Sequence, residues 1–204
     1  MGVFVFILAI LPMIGGSTMH LMKAESPGPS VDKFVPKVKD TAKILYLLYI
    51  GITVLQIICL LLAGMPLFDT LTHTFGTVGT GGFGVKNTSI GGYTSLQQNI
   101  ITFFMIASGV NYRAYFLIIS KNFKDAFKME EVRWYLGIIL VAVAIITANT
   151  FSLYSGIGET LKHAFFQVAS IITTTGYSTV DFDLWPELSK TILVLLMIIG
   201  ACAG

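Results

Sequence analysis

Long apolar runs alternate with short polar stretches along this chain. Gly2–Leu21, Ile44–Gly64, Leu96–Ile119 and Trp134–Tyr154 are each near the roughly 20 residues that cross a bilayer as a helix, and a fifth run starts near Leu188 and continues to Gly204. Between them lie polar breaks. Residues 23–43 hold Pro27, Pro29 and Pro36, which exclude a continuous helix there, Met65-Pro66 stops the second run, and residues 121–133 are charged. Two shorter apolar segments open on polar residues, Phe68–Val78 and His163–Ile172. The first has 11 residues, about 16 Å as a helix, enough to enter a membrane and too little to cross it.

Each short segment runs into the same pattern, Thr-x-Gly-aromatic-small. The first copy is Thr80-Gly81-Gly82-Phe83-Gly84 and the second Thr174-Thr175-Gly176-Tyr177-Ser178. The order is span, half-length helix, glycine-bearing strand, span. It predicts an all-α membrane protein of tandem span–pore-helix–filter–span repeats of potassium-channel type, with about five transmembrane helices and two re-entrant pore loops. Residues 1–22 are read as a span closing one repeat and 23–43 as a loop. Residues 44–120 form the next repeat with its pore loop at 66–92, and 121–133 a second loop. Residues 134–204 form a third repeat with its pore loop at 157–180 and a shortened last span.

The chemistry of such a strand lies in its backbone. Potassium filters use the related run T-V-G-Y-G, whose carbonyl oxygens replace the ion's water shell. Glycine reaches the φ values that turn successive carbonyls toward one axis. The expected ion ligands are Gly79, Thr80, Gly81, Gly82 and Phe83 in one strand and Thr173, Thr174, Thr175, Gly176 and Tyr177 in the other. Non-helical backbone at membrane depth requires burial in protein or a water-filled path. The carboxyl ends of the half-length helices, which carry partial negative charge, point at the strands.

An internal repeat supports the pairing. A shift of 94 places Thr80 on Thr174, Gly82 on Gly176 and Phe83 on Tyr177, whereas a shift of 90 aligns Asp69–Phe75 with Glu159–Phe165. The two shifts differ by about one helical turn. The shift of 94 is preferred, because it leaves no gap in the strand.

Composition and charge then set class and orientation. Only 12% of residues are charged, half the roughly 25% of a soluble domain. The loops 23–43 and 121–133 carry Lys23, Lys33, Lys37, Lys39, Lys43, Lys121, Lys124, Lys128 and Arg133, against Lys86, Lys162 and Lys190 in the filter loops. By the positive-inside rule the basic loops are cytoplasmic and the filters face outward. Trp134 and Trp185 stand where interfacial aromatics are expected. Cys59 and Cys202 sit in apolar runs without metal or redox spacing. No metal cluster other than a potassium path, no cofactor motif and no catalytic pair within the spans is visible, which argues against an enzyme.

Other residues admit two readings. Gly200-Ala201-Cys202-Ala203-Gly204 is either a close-packing run or a helix break on the conduction path, a candidate gate. Arg113 either snorkels at the cytoplasmic boundary or repels ions. His73 and His163 either tune the outer mouth with pH or hydrogen-bond at the interface. Asp181, Asp183 and Glu187 either concentrate cations or form a solvated loop. Asn111 and Asn149 are expected to bond between helices.

Three stretches resemble the Trk/Ktr superfamily of potassium uptake proteins, most closely the TrkH/TrkG branch: Ala24–Pro29, Phe68-Asp69 through Phe83, and Phe166–Tyr177 followed by Leu184-Trp185-Pro186. The resemblance implies four repeats around a potassium filter in the bacterial cytoplasmic (inner) membrane, with Gly82 and Gly176 as filter glycines. It also implies an intramembrane gating loop starting near Gly200, a homodimer in the full-length form, and a cytosolic nucleotide-binding regulatory subunit. It implies no nucleic-acid partner. The first filter and the fourth repeat have no counterpart here, so the expectation is a fragment of a potassium uptake protein. A non-conducting membrane scaffold or truncated remnant is the alternative.

Overall fold

A computed structural model describes residues 38–119, 122 and 128–200. The spans and loops expected before residue 38, and Ala201–Gly204 of the candidate gate, lie outside the described residues. Every regular element described is helical: α1 (Val38–Leu62), α2 (Leu67–Val78), α3 (Ser95–Ser108), α4 (Tyr112–Ile119), α5 (Glu130–Thr150), α6 (Ile157–Ile172) and α7 (Glu187–Ile199). Short 3-10 turns follow α5 at Phe151–Leu153 and precede α7 at Phe182–Leu184.

The exterior is apolar. Leu47, Ile50, Val54 and Leu55 on α1, Leu140 and Val141 on α5, and Val194 and Ile198 on α7 all face outward. Contiguous exposed apolar surface on this scale is not that of a protein surrounded by water. Residues Glu130–Leu153 form one run of 24 residues, long and apolar enough to cross a membrane.

Polar side chains are drawn inward instead. Thr70, His73, Thr74, Thr77, Gln167 and Ser170 are all buried on α2 and α6. One core packs α5, α6 and α7 together through Ile139, Ile146, Val168, Ile172, Trp185 and Leu193. A second joins the halves of the chain: Leu60, Met65, Ile101 and Met105 from the first half meet Phe166, Ala169 and Tyr177 from the second. Helix α3 therefore packs against both α2 and α6.

Two local findings depart from the sequence reading. Leu96–Ile119, expected as one helix, is α3 and α4 with a break at residues 109–111. Three hydroxyl and amide groups anchor the break: Tyr135 donates to the Ile106 carbonyl (3.1 Å), Tyr115 to the Ala107 carbonyl (2.5 Å), and Asn111 Nδ2 to Glu131 Oε2 (2.8 Å). The Ile106 and Ala107 carbonyls also accept from the Gly109 and Val110 amides, so the two tyrosine hydroxyls reinforce a tightened helix end. Trp185 does not face outward. It is buried and donates Nε1–H to Tyr154 (2.8 Å), while Trp134 is 72% exposed.

Candidate functional site

The two Thr-x-Gly segments adopt one backbone geometry. After α2, the amides of Gly79, Thr80, Gly81 and Gly82 donate to the carbonyls of Phe75, Thr77, Gly76 and Gly76. After α6, the amides of Thr173, Thr174, Thr175 and Gly176 donate to Ala169, Ile171, Ser170 and Ser170. Each of these donors and acceptors is offset by 94. Thr80 and Thr174 share positive φ (50° and 57°), as do Gly82 and Gly176 (64° and 84°). A non-glycine residue in this region pays steric strain, so its repetition at Thr80 and Thr174 marks a backbone held by its surroundings.

At the other end of the helices the shift is 90. Thr70 N–H donates to the Pro66 carbonyl and Thr160 N–H to Gly156. Helix α6 is therefore one turn longer than α2 at its start, 16 residues against 12. Both sequence shifts are right, each at its own end.

The carbonyls divide into two groups. Among the described residues nothing donates to those of Thr80, Gly81, Gly82, Thr174, Thr175 and Gly176. The last carbonyl of each strand is taken up inside the protein. Phe83 accepts from the Tyr177 hydroxyl (2.9 Å), and Tyr177 accepts from Ser170 Oγ (2.6 Å). Phe83 and Tyr177 were among the expected ligands, and each of their carbonyls accepts one protein hydrogen bond. Thr173 Oγ1 lies 2.7 Å from the Ala169 carbonyl and 2.8 Å from Thr175 Oγ1.

The strands lie side by side. A Cβ on Gly82 would collide with the Thr175 carbonyl, whereas one on Gly176 would meet nothing within 4 Å. The aromatic residues differ in the same sense: Tyr177 is fully buried against α2, and Phe83 is 73% exposed. The loop after the first strand is tied to the second, with Ile90 N–H donating to the Ser178 carbonyl (3.1 Å) and Ser178 N–H to Ser89 Oγ (3.2 Å).

The flanking polar residues now have places. His73 bonds to tyrosines on two segments. His163 Nδ1 is 3.0 Å from Thr179 Oγ1, with its ring stacked on Tyr154. Asn149 bonds Ser189 across α5 and α7 (2.9 Å). Lys190 lies on the acidic loop, 2.7 Å from Glu187 and 3.4 Å from the Asp183 carbonyl, which offsets part of that loop's negative charge. Arg113 falls on α4, with its side chain outside the described residues. Sequence reasoning missed the break after α3. Its closest point is Gly109, where a Cβ would collide with the Tyr135 hydroxyl and lie 2.9 Å from Thr173 Cγ2. Gly200, the described end of the candidate gate, closes α7 in the same way, 2.7 Å from the Ile172 carbonyl for such a Cβ. Both helices stop at a glycine pressed against the end of α6.

A family model described as TrkH, cation transport protein, matches residues 1–204. The chain belongs to the TrkH family. It is 39% identical to the Trk system potassium uptake protein TrkH of Salmonella typhimurium and 32% identical to the Trk system potassium uptake protein TrkG of Escherichia coli. Each match covers 100% of this chain and 43% of the relative. The crystal structure of the potassium transporter TrkH from Vibrio parahaemolyticus has the same fold, with a TM-score of 0.79 at 23% identity over 98% of this chain and 42% of that one. This TrkH family chain thus spans less than half the length of the curated relatives it matches.

Proposed function

We propose that the chain forms part of a potassium uptake path across the bacterial cytoplasmic membrane. Helices α2 and α6 act as pore helices, and the strands after them are two sides of a selectivity filter. The observation that carries this reading is the pair of matching carbonyl rows without donors. Gly81, Thr174 and Gly176 are exposed in this chain alone; in a four-repeat ring the carbonyls would face a shared axis, where a dehydrated monovalent cation supplies the partner that a backbone carbonyl withdrawn from water needs. Thr80, Gly81, Gly82, Thr174, Thr175 and Gly176 are the ligands in this account, with Gly79 and Thr173 at its inner edge. Potassium is the cargo, and no cofactor is involved. The names of the relatives support the choice of ion.

The contact between the two repeats supports a closed ring. It is head-to-tail: Tyr177 of one repeat enters the α2 face of the other beside Gly76 and His73. Heterologous contacts of this kind generate rings when their rotation closes. The unused surfaces are Phe83 on one side and Gly176 on the other. Gln167 lies 94 residues beyond His73, is buried, and its Oε1 has no partner among the described residues. Two further repeats would complete the ring, with filters outward and basic loops cytoplasmic. The gate lies where α7 ends, at Gly200 and the following residues to Gly204. A homodimer and a cytosolic nucleotide-binding regulatory subunit complete the proposed assembly.

The test is potassium-limited growth of cells lacking their own potassium systems. This chain extended to four repeats is expected to restore growth, and the 204-residue chain alone is not. Failure of the extended form would favour a non-conducting scaffold. Rescue by the short chain would show that a pore assembles without the missing repeats.

A further inference from the structure

His73 is fully buried on α2, and its two ring nitrogens face different tyrosines. Nε2 is 2.9 Å from the Tyr93 hydroxyl and Nδ1 is 3.4 Å from the Tyr177 hydroxyl. The ring contacts are edge-on, with centroids 4.9 Å and 5.7 Å apart. Tyr93 has one hydroxyl hydrogen, which goes to Asp69 Oδ2 at 2.9 Å. The Tyr93 oxygen must therefore accept from His73, so Nε2 carries the hydrogen. In the neutral ring, Nδ1 is then an acceptor facing Tyr177. The Tyr177 hydroxyl also has a single hydrogen. Its shortest acceptor is the Phe83 carbonyl at 2.9 Å, against 3.4 Å to Nδ1 and 3.4 Å to the His73 carbonyl.

These groups make one line of contacts in two hydrogen-bonded pieces: His73 Nε2–H donates to Tyr93 and Tyr93 to Asp69, Tyr177 donates to Phe83, and the pieces meet where the His73 and Tyr177 rings touch edge-on. The line starts at a half-buried carboxylate on the first turn of α2. It ends on the backbone of one proposed filter strand, and its last side chain belongs to the other. Lys86 lies over the Tyr93 ring, 4.0 Å from its centroid, and completes the set of charges around this line. The second pore helix has no equivalent, because Gln167 stands where His73 would be.

We infer that His73 is a specificity-determining positioning residue. It touches no ion. It sets the distance between the two filter strands through the edge-on contact of its ring with Tyr177, and Asp69 and Tyr93 hold that ring in place. The inference rests on the filter reading above. It predicts that loss of a remote hydroxyl changes which ion passes, whereas a residue that only fills space would change how much protein folds.

The experiment uses the protein extended to its relatives' length, in cells without other potassium uptake. Uptake of potassium and sodium is measured, together with the amount of protein in the membrane. Tyr93→Phe keeps the ring and removes the hydroxyl. The potassium-to-sodium ratio is expected to fall about tenfold, the scale of a hydrogen bond to a charged group, at unchanged protein level. Asp69→Ala should lose as much, and the double variant no more than either, as groups acting in one network do. Asp69→Asn retains an acceptor and should recover most of what Asp69→Ala loses. An unchanged ratio in Tyr93→Phe and Asp69→Ala, or additive losses, would overturn the inference and leave the filter reading standing. A parent protein that takes up potassium and sodium equally would overturn both.

Discussion

Gly82→Ala and Gly176→Ala should differ, although the two glycines occupy the same place in the motif. Both have positive φ, 64° and 84°. Alanine in that region costs about 1–2 kcal/mol at either site. At Gly82 the new methyl also collides with the Thr175 carbonyl, a backbone atom that cannot swing aside. Forcing atoms into a packed site adds about 1–3 kcal/mol. At Gly176 no atom lies within 4 Å of the added Cβ, so only the backbone term applies. The excess at Gly82 corresponds to a thermal transition lower by about 2–12 °C than that of Gly176→Ala, measured on the purified 204-residue chain in detergent. In the chain extended to four repeats, a neighbouring strand would lie against Gly176, and the two substitutions should become equally damaging. Equal shifts in the short chain, or a larger one at Gly176, would refute the side-by-side placement of the strands.

Three further outcomes are expected. Ser170→Ala removes a buried donor at 2.6 Å from the Tyr177 carbonyl and should cost about 1–3 kcal/mol, read as a lower thermal transition. Gly109→Ala should cost about 1–3 kcal/mol by overpacking, with part recovered by Tyr135→Phe, which removes the atom that its Cβ meets first; thermal transitions of the two variants check this. Burial, and next the Asp69 carboxylate, hold the Tyr93 hydroxyl above the usual tyrosine range. A raised pKa contributes stability that is complete below the unfolded value, near 10, and is lost as pH climbs beyond it. Tyr93→Phe should therefore flatten the fall of stability with pH on the alkaline side, which denaturation at stepped pH would show.

Much of the backbone geometry was legible because it is local. The Thr-x-Gly run carries its own requirement for positive φ, and the polar starts of Phe68–Val78 and His163–Ile172 mark half-length helices. What was hidden depends on neighbours. Phe83 and Tyr177 share one motif position, yet one is exposed and the other fully buried, because only Tyr177 has a second repeat to enter. The hydrogen bonds to their carbonyls were hidden for the same reason: the donors, Tyr177 and Ser170, are set by packing. The break after Ser108 lies in an apolar run that hydropathy reads straight through, and the available signal was Gly109 followed by Asn111. Trp185 was assigned to the interface on position alone, while the partner that buries it, Tyr154, lies 31 residues away. The choice between shifts of 90 and 94 was a false one, since a helical turn added at the start of α6 satisfies both.

The measurement that bears most directly on the account is ion discrimination at the filter glycines. Potassium and sodium uptake would be compared for the extended protein and for its Gly82→Ser and Gly176→Ser variants. The account predicts that the parent favours potassium and that each variant admits sodium, because a side chain there displaces the carbonyls that replace the ion's water. A variant that reaches the membrane and still strongly favours potassium would contradict it.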